Sequence, residues 1–176
     1  MVKTYRTTDE LAYIIGILHT LKSKGDLVEI GIYNGGSAKV IRENSDGILY
    51  LFDTFGGIMS EQILDYEKEN YKAGDYRCSL NEVKEYLKNY KDIIYHEGDI
   101  IKTKNEVEDK KFKFIHIDLD IYIPLKDCLS FFYERLSDGG VLLVSNYDDN
   151  HLGIKKVVNE FLKPFKKYSR FACYQK

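Results

Sequence analysis

The sequence predicts an open α/β fold, with a mainly parallel twisted sheet and helices on both faces. Short apolar runs alternate along the chain with longer segments of helical period, which is typical of strands joined by crossover helices. The first of these runs turns through glycines directly into a helix, as the first unit of such a sheet does. The 176 residues suit one core, and no repeat or linker divides them. We therefore expect a single domain over residues 1–176.

The first predicted element is a helix that begins at Thr7. Thr7 and Glu10 have the spacing of a capping box, and apolar residues then recur at helical spacing as far as Leu21. Gly25 ends the helix. We expect residues 1–25 to pack on the domain or to act as a small lid over its ligand.

Residues 27–37, LVEIGIYNGGS, form the first strand and a glycine-rich loop, and a helix starts at residue 38. Dinucleotide sites use G-x-G-x-x-G, whereas the spacing here is G-x-x-x-G-G. Glu29 precedes the first glycine by two residues, which does not suit a diphosphate. An acid there suits a ligand with a cationic amino-acid end, such as S-adenosylmethionine (SAM). A turn without any ligand is the alternative.

The remaining elements continue the alternation of strand and helix. Further strands are predicted at 48–52, 93–96, 112–117, 141–144 and 171–175. Helices are predicted at 79–90, from Pro124 to Leu136, and at 154–162. Residues 58–77 have no steady period and are expected to form a short helix and a loop.

Acidic residues follow four successive strands of the predicted sheet. They are Asp53, Asp99, the pair Asp118 and Asp120, and the pair Asp148 and Asp149. In a parallel sheet these strand ends share one edge, where open α/β folds bind ligands. Like charges gather there only if cations or hydrogen-bond donors meet them. Asp53 is placed to bind ribose hydroxyls and Asp99 an adenine amino group, although each acid alone suits an ordinary loop or cap.

Asp118 and Asp120 lie two residues apart, so they share a face if the strand continues through them. One acid can then hold Mg²⁺ while the other takes a proton from a hydroxyl group. A bound metal would lower the pKa of that hydroxyl. A turn with solvated aspartates is the alternative.

Composition excludes several classes of partner. The net charge of −2 argues against nucleic acid, and no apolar run approaches the length of a membrane span. Three widely separated cysteines lack metal-ligand spacing and suit free thiols, and the N-terminal residues do not show the charged-then-apolar pattern of a signal peptide. We expect a cytoplasmic protein that acts on a small molecule; a homo-oligomer is left open.

Seven segments between residues 27 and 162 together resemble the macrocin O-methyltransferase (TylF-type) family. They are VEIGIYNGGSAKVI, LYLFDTFGG, SLNEVKEYLKN, HEGDI, FIHIDLDIY, LSDGGVLLVSNY and GIKKVVNEFL. The second and fifth carry the specific part of the resemblance. It implies a Rossmann-like class I methyltransferase that transfers a methyl group from SAM to a sugar hydroxyl.

The resemblance also implies roles for particular residues. SAM contacts are implied at Glu29, Gly31, Gly35, Ser37, Asp53, Thr54, Asp99 and Asp118. Asp118 is also the implied metal ligand and Asp120 the implied general base. Tyr122, Tyr147 and His151 are candidates for contact with the acceptor, although such a histidine is more often a surface or cap residue.

One departure from the family pattern concerns the metal. The family usually carries Asp-Asp-Tyr where this chain has Ser145, Asn146 and Tyr147. Asn146 remains an acceptable oxygen ligand, Ser145 is a weak one, and Asp148 is a possible replacement. Use of Mg²⁺ is therefore left open. Two alternatives to a methyltransferase remain: a SAM-binding protein without catalysis, and a nucleotide-dependent oxidoreductase.

Overall fold

The computed structural model describes residues 4–176, which form one seven-stranded sheet with helices on both faces. The strands are β1 (Asp26–Ile30), β2 (Leu49–Asp53), β3 (Ile93–Glu97), β4 (Phe112–Ile117), β5 (Leu136–Val144), β6 (Lys166–Tyr168) and β7 (Phe171–Gln175). The helices are α1 (Thr8–Thr20), α2 (Gly36–Glu43), α3 (Leu80–Tyr86), α4 (Ile100–Thr103), α5 (Tyr122–Glu134) and α6 (Leu152–Phe161). Single 3-10 turns occupy Ser60–Gln62, Asp65–Glu67 and Lys104–Val107.

The strand order is β3-β2-β1-β4-β5-β7-β6. Strands β1 to β5 are parallel, and β7 runs antiparallel to both of its neighbours. The chain order reverses direction between β1 and β4, the switch point at which open α/β sheets form a binding crevice. The predicted α/β fold with a mainly parallel sheet is confirmed.

Alternate residues of the central strands pack into two hydrophobic clusters. One cluster includes Val28 and Ile115 with side chains from α5 and α6, and the other includes Leu27 with side chains from α1 and α2. Both clusters are built largely from side chains with no exposed surface. Since both faces are covered, the central strands are mostly apolar on both sides, and the buried Glu29 of β1 and His116 of β4 are exceptions.

Helix α1 has the predicted capping box. The Thr7 hydroxyl accepts from the Glu10 N–H (3.2 Å), and the Glu10 carboxylate accepts from the Thr7 N–H (3.0 Å). Ile14 and Leu18 bury the helix against the second cluster. Part of the predicted lid segment, residues 1–3, lies outside the described residues. Across residues 4–176, no helix is both long enough and apolar enough to cross a bilayer.

Helix α3 ends at Tyr86, although the predicted helix extends to residue 90. Two strands also differ from the sequence prediction. Strand β5 starts at Leu136 rather than residue 141, because Leu136 pairs with Phe112 and a register shift then accommodates the exposed Asp138 and Gly139. Strand β6 was not predicted. Its three residues are all exposed and pair only with β7, so they carry none of the apolar alternation that identifies a strand.

Candidate active site

A cavity of about 600 Å³ opens at the carboxyl ends of β1 to β5. Most of the residues predicted to form a site line it. These are Gly31, Ser37, Asp53, Thr54, Asp99, Asp118, Asp120, Asn146 and His151. Of the other predicted residues, Glu29, Gly35, Tyr122, Tyr147 and Asp148 lie outside the lining that the described residues form.

Gly31 allows the ends of β1 and β4 to approach each other. Its φ is +81°, and a Cβ atom there would lie 2.2 Å from the carbonyl oxygen of Asp118. Beside it, the Asp118 N–H donates to the Ile30 carbonyl (2.8 Å). Any larger residue at position 31 would therefore separate the two strand ends, and with them the carboxylate of Asp118 from the rest of the cavity.

Gly35 lies outside the cavity lining that the described residues form. It caps the start of α2 with φ +80°, and a Cβ atom there would meet Val83 of α3 and Leu87 at the end of that helix. Its direct contact with SAM stays a prediction, whereas Ser37, two residues later, does line the cavity.

Asp53 shapes the loop after β1. Its Oδ2 accepts from the N–H groups of Ile32 (2.9 Å) and Tyr33 (3.0 Å), and its Oδ1 accepts from that of Phe55 (2.8 Å). Burial raises the pKa of the Asp53 carboxyl, although these three backbone bonds act in the opposite direction. A carboxylate has about four acceptor sites, so Asp53 retains room for one hydroxyl of a ligand.

Asp99 caps the start of α4. Its carboxylate is bound by Gln62, a residue that the sequence pattern did not identify. Its Oδ1 accepts from the Ile101 N–H (3.0 Å) and from Nε2 of Gln62 (3.0 Å). Gln62 is buried in a 3-10 turn within residues 58–77, the segment without a steady sequence period. It also lines the cavity. Together they present an amide and a carboxylate, a pair suited to the donor and acceptor edge of a base such as adenine.

Asp118, Asp120 and Asn146 meet at the ends of β4 and β5, as predicted. The side-chain Nδ2 of Asn146 donates to Asp118 (3.3 Å) and to Asp120 (2.9 Å). Burial and the charge of Asp118 raise the pKa of Asp120 to about 7, against the opposing effect of Arg6 and Arg170. Asp120 is thus a partly buried carboxyl group on the cavity wall, and its raised pKa favours the uptake of a proton.

Arg6 is the main residue of the cavity that the sequence analysis missed. Its Nε donates to Oδ2 of Asp118 (3.2 Å), its Nη2 donates to Oδ1 of Asp118, and Nη2 also lies 3.4 Å from Oδ1 of Asn146. Only 6% of its side chain is exposed. Burial lowers the pKa of Arg6, but the charge of Asp118 and the bond to it leave the pKa raised. The one sequence feature that could have drawn attention to Arg6 is its position directly before the Thr7 cap.

Glu29 and Ser145 form a separate group beneath the cavity together with His116, a residue that was not predicted to belong to the site. His116 bonds through Nδ1 to Oε1 of Glu29 and through Nε2 to Oγ of Ser145, each at 2.8 Å. None of the three side chains has any exposed surface. We call Glu29, His116 and Ser145 the buried network. A direct contact of Glu29 with SAM stays a prediction, and the Ser145 hydroxyl is already bound by His116.

The donor set at the strand ends does not fit Mg²⁺. Both carboxylate oxygens of Asp118 are bonded to Arg6, and Asn146 turns its NH₂ group toward the carboxylates. Asp148, the alternative ligand, is bonded to His151 (2.6 Å). Within residues 4–176, no cluster of three or more His, Cys, Asp or Glu side chains could hold a metal ion. A hard cation would need several free oxygen ligands here.

The three predicted acceptor contacts have different surroundings. His151 lines the cavity. The Tyr147 hydroxyl donates to Asn159 (2.9 Å), and the Tyr122 ring faces lysine side chains. Contact of these two tyrosines with an acceptor stays a prediction.

Other tyrosines form part of the cavity wall. The rings of Tyr5 and Tyr33 stack with centroids 5.1 Å apart, and Tyr76 meets both rings edge-on at 6.4 Å. Tyr5 is exposed, so this cluster lies at the mouth of the cavity. No spacing in the sequence relates these three positions, because they come from three separate loops.

Comparisons with solved structures agree on the fold. The chain is similar to the O-methyltransferase NovP, with 20% identity, a TM-score of 0.79, and coverage of 94% of this chain and 78% of NovP. It is also similar to CalS11, a calicheamicin methyltransferase, with 18% identity, a TM-score of 0.82, and coverage of 99% and 80%. A Streptococcus mutans protein in complex with SAH, the demethylated product of SAM, has 15% identity, a TM-score of 0.64, and coverage of 98% and 99%.

The sequence comparisons identify the family. Curated protein sequences give no significant match. The family model described as macrocin-O-methyltransferase (TylF) matches residues 1–170, almost the whole chain and more than the segments that carry the resemblance. The chain therefore belongs to the macrocin-O-methyltransferase (TylF) family of SAM-dependent O-methyltransferases.

Proposed function

We propose that this protein transfers the methyl group of SAM to a hydroxyl of a sugar or other small polyhydroxylated acceptor. The observation that carries the proposal is the convergence of Asp53, Asp99, Asp118 and Asp120 on one cavity at the switch point of the sheet. The cavity volume of about 600 Å³ lies in the range of small-molecule sites.

The residues of the cavity fit SAM. Asp53 has an acceptor site left for a ribose hydroxyl, and Thr54 lies beside it. Asp99 and Gln62 suit the adenine edge, and Ser37 lies where α2 begins. The carboxylates also favour a ligand that carries an ammonium and a sulfonium charge. When bound, SAM supplies a methyl group on a positively charged sulfur.

Asp120 is the proposed general base. The acceptor oxygen forms a bond to the methyl carbon while the carbon–sulfur bond breaks and leaves a neutral thioether. The hydroxyl proton passes to the carboxylate of Asp120, so the products are a methyl ether, SAH and a protonated carboxyl group. Asn146 fixes Asp120 through its 2.9 Å hydrogen bond. Orienting the acceptor against the methyl carbon contributes most of the acceleration in such a step.

The nature of the acceptor is inferred from the family and its relatives. CalS11 is described as a TDP-rhamnose 3′-O-methyltransferase, which is a property of that protein. We extend the chemical class, a sugar hydroxyl, to this chain. The exposed tyrosine rings at the cavity mouth support it, because aromatic faces pack against the C–H faces of sugars.

Family membership leaves the oxidoreductase alternative without support. The catalytically inert SAM-binding alternative is tested with the enzyme itself. Calorimetric titration should show binding of SAM and SAH to the purified chain, and absence of binding would contradict the proposed function. Radiolabelled SAM should then methylate at least one member of a panel of sugars, sugar nucleotides and catechols. Binding without transfer to any acceptor would favour the inert alternative.

Location and assembly are also proposals. Cys78, Cys128 and Cys173 are free thiols, which supports a reducing compartment such as the cytoplasm. Homo-oligomer formation is tested by light scattering on the purified protein, with a mass near 20.5 kDa expected for a monomer.

A further inference from the structure

We propose that the guanidinium of Arg6 takes the place of a divalent cation at the strand ends, so that transfer requires no metal. This inference rests on the proposed function, because it assigns Arg6 a role in the same cavity.

The first argument is that Arg6 already makes the contacts a cation would make. It bonds both oxygens of Asp118 and reaches the amide oxygen of Asn146, the two residues that aligned with metal ligands. The third aligned position, Ser145, has no exposed surface and its hydroxyl is bound to His116. A divalent ion would have to enter beside a fixed positive charge and compete for the same carboxylate.

The second argument is that Arg6 stays charged at this position. Its side chain lines the cavity, and its Nη1 is buried with no hydrogen-bond partner within residues 4–176. Against the effect of burial, the charge of Asp118 and the bond to it raise the pKa of Arg6. A guanidinium does not release its proton, so Arg6 remains a cation beside Asp118 while Asp120 accepts the proton of the acceptor.

The third argument is that Arg6 is fixed in place. The next residue, Thr7, caps α1. Glu10 of the same capping box is buried and accepts a hydrogen bond at Oε1 from Nε of Arg170 (3.2 Å). The Arg6 guanidinium also lies 5.6 Å from the centroid of the Phe171 ring. Because the segment before α1 is anchored at these points, the cation is positioned before any ligand binds.

The experiment measures Mn²⁺ binding by electron paramagnetic resonance, with Mn²⁺ as the probe for divalent ions. The variants are Arg6→Met, which removes the charge but keeps an alkyl chain; Arg6→Lys, which keeps the charge; and Arg6→Met combined with Asn146→Asp. Arg135→Met is the matched control, because Arg135 lies at the other end of β5 and bonds carbonyl oxygens. Calorimetric binding of SAH verifies that each variant folds.

We expect weak Mn²⁺ binding by the wild type, Arg6→Lys and Arg135→Met. Arg6→Met should bind Mn²⁺ roughly tenfold more tightly, equivalent to about 1.4 kcal/mol, and the double variant more tightly again. A structural role for Arg6 would not create this gain. Once an acceptor is known, EDTA should leave the wild-type rate unchanged, and Arg6→Met should lower it.

Three results would overturn the proposal: tight Mn²⁺ binding by the wild type that Asp118→Asn abolishes, no gain in either Arg6→Met protein, or an equal gain in Arg6→Lys. The wild-type measurement decides the matter even if Arg6→Met fails to fold. Failure of the proposed function is distinguishable, because it appears as absence of SAH binding by the wild type, whatever the Mn²⁺ result.

Discussion

Two polar groups lie near the ends of β4 and β5 and differ in what surrounds them. The buried network joins Glu29, His116 and Ser145 from β1, β4 and the end of β5, with no exposed surface. The cavity group is defined as Arg6, Asp118, Asp120 and Asn146. Its acids and its asparagine follow β4 and β5, Arg6 precedes α1, and all four residues line the cavity. Similar residue types therefore occupy two layers of one sheet.

The difference between the layers is access to the cavity. None of the three side chains of the buried network is exposed, and Oε2 of Glu29 has no hydrogen-bond partner within residues 4–176, so a broken link leaves a further polar group without water or a partner. All four residues of the cavity group line the cavity. We infer that the first group stabilises the fold and the second acts on ligands. The predictions below test that separation.

The largest expected effect is on the rate of methyl transfer. Asp120→Asn should lower it about 10²- to 10⁴-fold, because the amide cannot accept the hydroxyl proton. SAH affinity and the free energy of unfolding should remain close to those of the wild type. Radiolabelled transfer to the best acceptor measures the rate. An unchanged rate would remove Asp120 as the base.

The second-largest expected effect is a loss of stability in variants of the buried network. His116→Ala should lower the free energy of unfolding by about 3 kcal/mol, because it leaves the Glu29 carboxyl and the Ser145 hydroxyl buried without their partner. Ser145→Ala is the milder comparison, with about 1 kcal/mol expected. Urea denaturation measures both. A loss of SAH affinity in folded Ser145→Ala, without a loss of stability, would contradict the separation.

Asp53 belongs partly to both layers, since it holds a loop and borders the cavity. Asp53→Ala should weaken SAH binding about tenfold, through a lost hydroxyl contact and a looser loop after β1. Asp53→Asn, which retains an acceptor for the backbone N–H groups, should lose less. Calorimetry measures the affinities, and the exposed Asp46→Ala is the control. Equal affinities in all three variants would exclude a cofactor role for Asp53.

The smallest expected effect concerns Gln62. Gln62→Ala should weaken SAH binding roughly threefold, because it removes one hydrogen bond to the Asp99 carboxylate and one amide from the cavity. The methyl-transfer rate at saturating SAM should not change. Titration with SAH and with adenosine separates the contribution of the adenine end. If the variant binds SAH more weakly but adenosine equally well, Gln62 does not contact the adenine end.

The sequence determined the architecture and the edge at which ligands bind. Apolar runs and helical periods are local properties, so they identified the order of strands and helices, and the capping box at Thr7 is also local. Because parallel strands end at one edge, the positions of Asp53, Asp99, Asp118 and Asp120 along the chain were enough to bring them to one cavity.

Only the tertiary structure decided what each acid meets. Glu29 lies in β1 and Asp118 directly follows β4. Glu29 pairs with a buried histidine, whereas Asp118 pairs with Arg6, 112 residues away in the chain. No periodicity links residues that far apart, since their contact depends on how α1 and the segment before it pack across the finished sheet. The counter-charge of each carboxylate is set by that packing.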